Sequence, residues 1–261
     1  MDLSTIERLA ALNQQFYAEH AENFAEARPR LPVGVARVLS AIAPGARVLE
    51  VGCGDGKVGR ALARSGVAAY VGLDGSAAML ERARRFTSEA PKSGTGPLAK
   101  NGTGPLGRGR PVYIYVRADL AEPNWAAALP AERYNWILAF AVLHHLPGYA
   151  LRAGVLQTLA QRLAPGGRVA VSNWQFTRSE RLKKRIVPWA EAGLSDGDVE
   201  PGDYLLSWER RGTHGLRYVH LLERAELERA AAGAGLRLVE TFSADGISGD
   251  LSDYVVMRHA D

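Results

Sequence analysis

The stretch Val48-Leu49-Glu50-Val51-Gly52-Cys53-Gly54-Asp55-Gly56-Lys57-Val58-Gly59 constrains the fold more than any other part of the chain. A short apolar, β-rich run enters a loop with glycine at every second position, and a helical pattern begins at Lys57. Glycines so placed let the backbone turn sharply, lie close to a ligand and lead into a helix N-terminus. Three registers compete. A Walker phosphate loop, GxxxxGK[ST], fails twice, because Val51 stands where its first glycine belongs and Val58 where Ser or Thr must follow Lys57. A dinucleotide GxGxxG can be laid on Gly54, Gly56 and Gly59, but the glycine that directly follows the strand is Gly52, so this register fits poorly. The third register sets an acid in the strand, Glu50, two residues before Gly52, Gly54 and Gly56. It suits a phosphate-free nucleoside carrying cationic groups, which favour a nearby carboxylate over a helix N-terminus dedicated to pyrophosphate.

The rest of the chain repeats the strand–turn–helix rhythm. Strands are expected near 46–51, 69–73, 112–117, 134–140, 168–173, 236–242 and 254–257, with helices near 57–65, 76–86, 125–129, 149–163 and 224–234. That alternation predicts an α/β fold with a single doubly wound, mostly parallel Rossmann-like sheet. Apolar residues at helical spacing, with Pro29 and Pro32 at a bend, make 1–43 an N-terminal helical cap on a domain spanning 44–261. Two segments break the rhythm. Residues 87–110, rich in Gly and Pro and holding GTGPL twice, read as a flexible surface loop; 174–215 reads as an irregular, partly basic insert overhanging the ligand end of the sheet.

Composition removes several chemistries. Cys53 is the only cysteine, so no internal disulfide or cysteine-based zinc cluster forms, and none of the six histidines is spaced as HxxxH, so no metal is expected. No apolar run is long enough for a membrane span, and the N-terminus lacks a signal-peptide pattern, so the expected compartment is the cytoplasm. The net charge of +4 is compatible with a polyanionic partner without requiring one.

With Glu50, Gly52, Gly54 and Gly56 in place, the sequence resembles the class I S-adenosylmethionine-dependent methyltransferases over roughly residues 12–258. The resemblance implies S-adenosylmethionine as cofactor. It implies that Asp74, ending the second strand, takes the ribose hydroxyls, and that Ala118, Asp119 and Leu120, ending the third, recognise adenine. It also sets Ala141, His144 and His145, after the fourth strand, beside the transferred methyl group. Within that superfamily the chain looks most like the enzymes that methylate the carboxylate of 5-carboxymethyluridine at the tRNA wobble position. The likeness rests on Phe16-Tyr17, Asn23-Phe24 and Ala27-Arg28, on His145, and on Arg217-Tyr218-Val219-His220, although Val219 departs from that family's pattern. It implies catalytic roles for His145, Arg28 and Arg217, and acceptor contacts from Tyr17, His144, Tyr218 and His220. The implied partners are tRNA and, from the eukaryotic members, a small zinc-binding activator subunit. A carboxylate is already ionised at neutral pH, so such a site needs no strong base. The runner-up is a small-molecule acceptor under a lid made by 174–215, and a non-catalytic cofactor-binding module is the third reading.

Overall fold

A computed structural model describes residues 1–26, 30–88 and 111–260 of the chain. Its centre is a seven-stranded sheet made of β1 (Arg47–Val51), β2 (Ala69–Asp74), β3 (Val112–Arg117), β4 (Tyr134–Phe140), β5 (Leu163–Trp174), β9 (Leu236–Ala244) and β10 (Ser252–His259), in the order β3-β2-β1-β4-β5-β10-β9. The first five strands run parallel, and β10 lies antiparallel between β5 and β9. Strands buried on both faces carry unbroken apolar runs whose alternate residues feed two cores. Leu49, Ile137 and Val169 pack with Val155 and Leu159 of α5 (Tyr149–Gln161) and Leu227 of α7 (Arg224–Gly233). Their neighbours Val48, Leu138 and Ala170 pack with Val35 and Val38 of α2 (Val33–Ser40) and with Val58 and Leu62 of α3 (Lys57–Leu62). The helix α4 (Ala77–Ser88) connects β2 to β3.

The 174–215 segment is not irregular. It holds the short helix α6 (Glu180–Lys183) and the strands β6 (Ile186–Val187) and β7 (Asp203–Arg210), which join β8 (Thr213–His220) in an antiparallel three-stranded sheet. The pairing Trp208–Gly215 aligns β7 with β8. This small sheet packs on α1 (Leu3–Glu26), whose buried stripe is Thr5, Leu9, Asn13, Phe16 and His20. The stripe mixes polar and apolar residues, and Leu3, part of the apolar pattern in the sequence, is 70% exposed. Gly215 permits the contact, since a Cβ there would lie 2.8 Å from both Phe16 and His20. From residue 89 on, the Gly/Pro segment lies outside the described residues.

Candidate active site

The strand order reverses between β1 and β4, and a ligand crevice opens beyond their C-terminal ends. There the two loops nearly touch: Gly52 has φ +67°, and a Cβ on it would lie 2.2 Å from Val142 Cγ2. Gly54, at φ +53°, has open space where a side chain would stand, so its bare backbone faces the crevice. Gly56 does something else. Its Cβ would meet Tyr115 Oη at 2.8 Å and Ala83 Cβ at 2.9 Å, so it lets α3 start against α4 and β3, away from the crevice. Ala141 also has a positive φ, +55°, a conformation costing a non-glycine residue on the order of 1 kcal/mol. Its N–H is held by the backbone carbonyl and the Oγ of Ser172, both at 3.0 Å.

Asp74 closes β2 with both oxygens engaged by backbone: Oδ1 accepts the Ser76 N–H and Oδ2 the Gly54 N–H, each at 2.8 Å. Burial raises its pKa, with the Asp119 charge adding to the rise and the two N–H donors opposing it. Each oxygen keeps a further lone pair, enough for a pair of ribose hydroxyls. Asp119 accepts the Ala121 N–H at 2.9 Å and also the side-chain amide of Gln14, which reaches over from α1. Ala118 and Leu120 line the same stretch. Gln14 carried no signal in the sequence, because the contact spans 105 positions and joins a helix to a loop.

Glu50 does not reach the crevice. It shares the Val48 face of β1 and is buried there, accepting a hydrogen bond from Tyr70. Burial, with the charges of Asp74 and Asp55, pushes its carboxyl up to about 8, against the Tyr70 hydrogen bond and Arg60. It props the strand beneath the glycine loop and is not among the residues that line the crevice. Cys53 is buried too, and burial holds its thiol well above the usual range.

The loop after β4 carries His144 and His145. His144 is buried, and its Nδ1 accepts the Trp174 N–H at 3.4 Å. Burial, then the neighbours His145, Arg217 and His220, hold it well below the ordinary imidazole value, so it stays neutral. His145 Nδ1 lies 3.2 Å from the Tyr218 carbonyl and its Nε2 2.9 Å from Tyr17 Oη. A carbonyl only accepts, which assigns the ring proton to Nδ1 and leaves Nε2 to accept from Tyr17. Asn13 holds this corner together: its Nδ2 donates to the carbonyls of His145 (3.0 Å) and Tyr218 (3.1 Å), and its Oδ1 accepts the Tyr218 N–H (2.9 Å).

Strand alternation splits the Arg217–His220 motif. Arg217 faces the crevice, its guanidinium 5.0 Å from the Phe16 ring centre and 5.5 Å from that of Trp174. Tyr218 and His220 point the other way and, contrary to the sequence reading, do not line the crevice. Tyr218 Oη donates to Asp203 at 2.7 Å, and His220 bridges Asp203 (2.7 Å) and Glu226 (2.8 Å). Glu200, Asp203 and His220 lie close enough to suggest a metal site, but Arg152 already supplies the cation, 3.0 Å from Glu200 and 2.7 Å from Glu226. Arg28, expected as a catalytic residue, lies outside the described residues. The basic run of 178–185 also divides. Arg178 pairs with Asp253 and Lys183 with Glu180, while Arg181 and Arg185 line the crevice. The whole cleft measures about 2050 Å³, more than one small ligand occupies.

A doubly wound sheet of this order, opened at its switch point by a glycine loop and two acids, is the Rossmann-like fold of S-adenosylmethionine-dependent methyltransferases. A family model described as a methyltransferase domain matches residues 17–241, and the chain belongs to that family. It is 30% identical, over 90% of its own length and 81% of the relative's, to a ubiquinone biosynthesis O-methyltransferase of Chelativorans sp. (strain BNC1). Among solved structures it superposes on the CcbJ methyltransferase from Streptomyces caelestis with a TM-score of 0.61 at 21% identity, covering 97% of this chain and 99% of that one. The magnesium protoporphyrin IX methyltransferase (ChlM) from Synechocystis PCC 6803, solved with bound S-adenosylhomocysteine, gives 0.61 at 16% identity, covering 95% of this chain and 97% of that one. The protein is thus an enzyme with S-adenosylmethionine as its cofactor. Among the described residues no helix is long and apolar enough to cross a membrane.

Proposed function

We propose that the protein methylates a hydroxyl oxygen of a small-molecule acceptor, with His145 as the base. The observation that carries this reading is the Tyr17 Oη–His145 Nε2 contact of 2.9 Å at the cleft, with Nδ1 committed to the Tyr218 carbonyl. The Chelativorans relative, named as an O-methyltransferase of ubiquinone biosynthesis, favours an oxygen acceptor of small size. When bound, S-adenosylmethionine supplies the methyl group as a reactive sulfonium. Asp74 holds its ribose hydroxyls, Asp119 with the Leu120 backbone its adenine, and the Gly52–Gly54 backbone leaves room for the rest.

A phenolic hydroxyl has a pKa near ~10 and must lose its proton to become a good nucleophile. An acceptor hydroxyl that exchanges for Tyr17 Oη delivers that proton to Nε2, because Nδ1–H donation to Tyr218 makes Nε2 the accepting nitrogen of the ring. The neutral state of the neighbouring His144 spares the emerging imidazolium a second positive ring. Asn13 sets the position of both His145 and the Tyr218 carbonyl, so base and acceptor remain aligned.

The carboxylate of a carboxymethylated tRNA is a second reading, and Arg217 in the cleft supports it. None of the three relatives above is named for tRNA or for a zinc-binding partner. The pH–rate profile separates the two readings. Transfer to a hydroxyl should rise with pH through the titration of a histidine and fall ~10²–10⁴-fold in His145→Gln. Transfer to a carboxylate should be flat from about pH 6 to 9 and tolerate the substitution. A flat profile with wild-type rates in His145→Gln rules the hydroxyl reading out.

A further inference from the structure

At the acceptor end of the cleft three arginines converge: Arg217 on β8, Arg185 just before β6, and Arg181 on α6. Among the described residues no carboxylate lies within ion-pair distance of Arg181 or Arg185. Glu209 on that rim is exposed and 3.8 Å from His214, and Glu180, next to Arg181 in α6, pairs with Lys183. The Asp245 carboxylate is occupied by the Gly34 N–H and by Tyr254 Oη. We propose that Arg181, Arg185 and Arg217 form a subsite for an acid group on the acceptor, so the enzyme selects hydroxylated small molecules that also carry a carboxylate. This rests on the hydroxyl-methylation reading and adds to it the acceptor's chemical class.

Like charges gathered in a part-buried cleft repel one another. Burial, then the charges of Arg181 and Arg217, hold the Arg185 guanidinium below its usual range. An anion relieves that repulsion, and the planar guanidinium matches a carboxylate with two parallel hydrogen bonds. Rings line the way from this subsite to the base. Arg217 lies over Trp174, the Trp174 ring centre is 6.5 Å from that of His144, and His144 is 4.4 Å from His145. The acid group of the acceptor is the handle on this wall of the cleft, and its hydroxyl reacts at His145 on the same cleft.

The test is calorimetry on the full chain saturated with S-adenosylhomocysteine, with 3,4-dihydroxybenzoate and catechol as ligands that differ only by the carboxylate. The acid should bind about tenfold or more tighter than catechol, and the ratio should shrink as salt is raised. In Arg181→Gln/Arg185→Gln the ratio should collapse toward one, with S-adenosylhomocysteine affinity measured alongside to show that the fold is kept. Equal affinities in the unaltered protein, no binding of the acid at millimolar concentration, or a ratio that survives the double substitution would each overturn the subsite. These binding readouts do not involve proton transfer, so failure of the base assignment appears separately, as undiminished catechol methylation by His145→Gln.

Discussion

The cofactor end of the cleft draws on residues 52–54, 74–79 and 117–122, each group directly beyond the C-terminal end of a parallel strand. The acceptor end draws on residues 13–17, 144–145, 174–185 and 208–217, from a helix, a loop, an insert and an antiparallel sheet. The first relies on backbone: positive-φ glycines, N–H groups and two acids whose positions follow from strand endings. The second relies on side chains that reach one another over long sequence distances, such as Asn13 to Tyr218 across 205 positions. Backbone geometry leaves a spacing in the sequence, whereas packing of distant side chains leaves almost none. Substitutions at the two ends should accordingly fail in different ways.

The largest effect is expected at Gly52. Alanine there suffers both the φ of +67° and a 2.2 Å approach to Val142, so the two switch-point loops must part. S-adenosylhomocysteine affinity should fall by at least ~100-fold, an estimate of ~3 kcal/mol. Gly166→Ala is the control, because φ is +72° there with nothing within 4 Å of the added carbon; calorimetry should show its affinity unchanged. Normal binding by Gly52→Ala would mean that the cofactor end is not built on backbone approach.

Asn13→Ala should be next, acting on the other end. It strips a partner from the buried Tyr218 N–H and from two carbonyls, a stability loss of ~2–3 kcal/mol visible in urea unfolding. Transfer should slow through misplacement of His145, while cofactor affinity stays near the unaltered value. Asp74→Ala should do the reverse, weakening cofactor binding by ~1–3 kcal/mol with little effect on acceptor KM. Equal damage to both affinities in either variant would erase the division between the ends.

The same division explains what was legible in the sequence. The parallel strands were, as apolar runs: the expected 134–140 coincides with the central, buried β4, and 112–117 with the half-buried edge strand β3. The glycine loop was legible through Gly52 and Gly54. Glu50 stands in the expected strand, but period two gives a residue's face without saying what covers it, and here Tyr70 meets that face. The β6–β8 sheet was missed because its strands mix Asp203, Ser207, Glu209 and Arg217 with apolar residues, and a small sheet half covered by one helix gives no regular alternation. Tyr218 and His220 stood in a recognised motif, yet alternation along β8 turned them toward Asp203 and away from Arg217.

That buried group gives the smallest effect and the sharpest discrimination. Burial lowers the His220 pKa, but the hydrogen bonds to Asp203 and Glu226, with the Glu226 charge, outweigh it and leave the imidazole raised above 6.5. A group raised in the folded state contributes stability that is complete below its unfolded pKa and is lost as pH rises through its folded pKa. The unaltered protein should therefore lose thermal stability on going upward from about pH 6.5, and His220→Gln, which has no proton to lose there, should show a flatter curve. The acid side belongs to Glu226, lowered mainly by His220 and Arg152 against its own burial; its contribution is present above the ordinary carboxylate range and lost as pH falls below it. Between about pH 6.5 and 9 the two melting curves should converge by a few degrees, given ~2–4 °C per kcal/mol for a domain of this size. Cofactor affinity should not follow this titration, because His220 and its partners lie behind β8, away from Asp74 and Asp119. Parallel melting curves over that range would show that folding does not raise the His220 pKa and that its two carboxylate partners do not hold it charged.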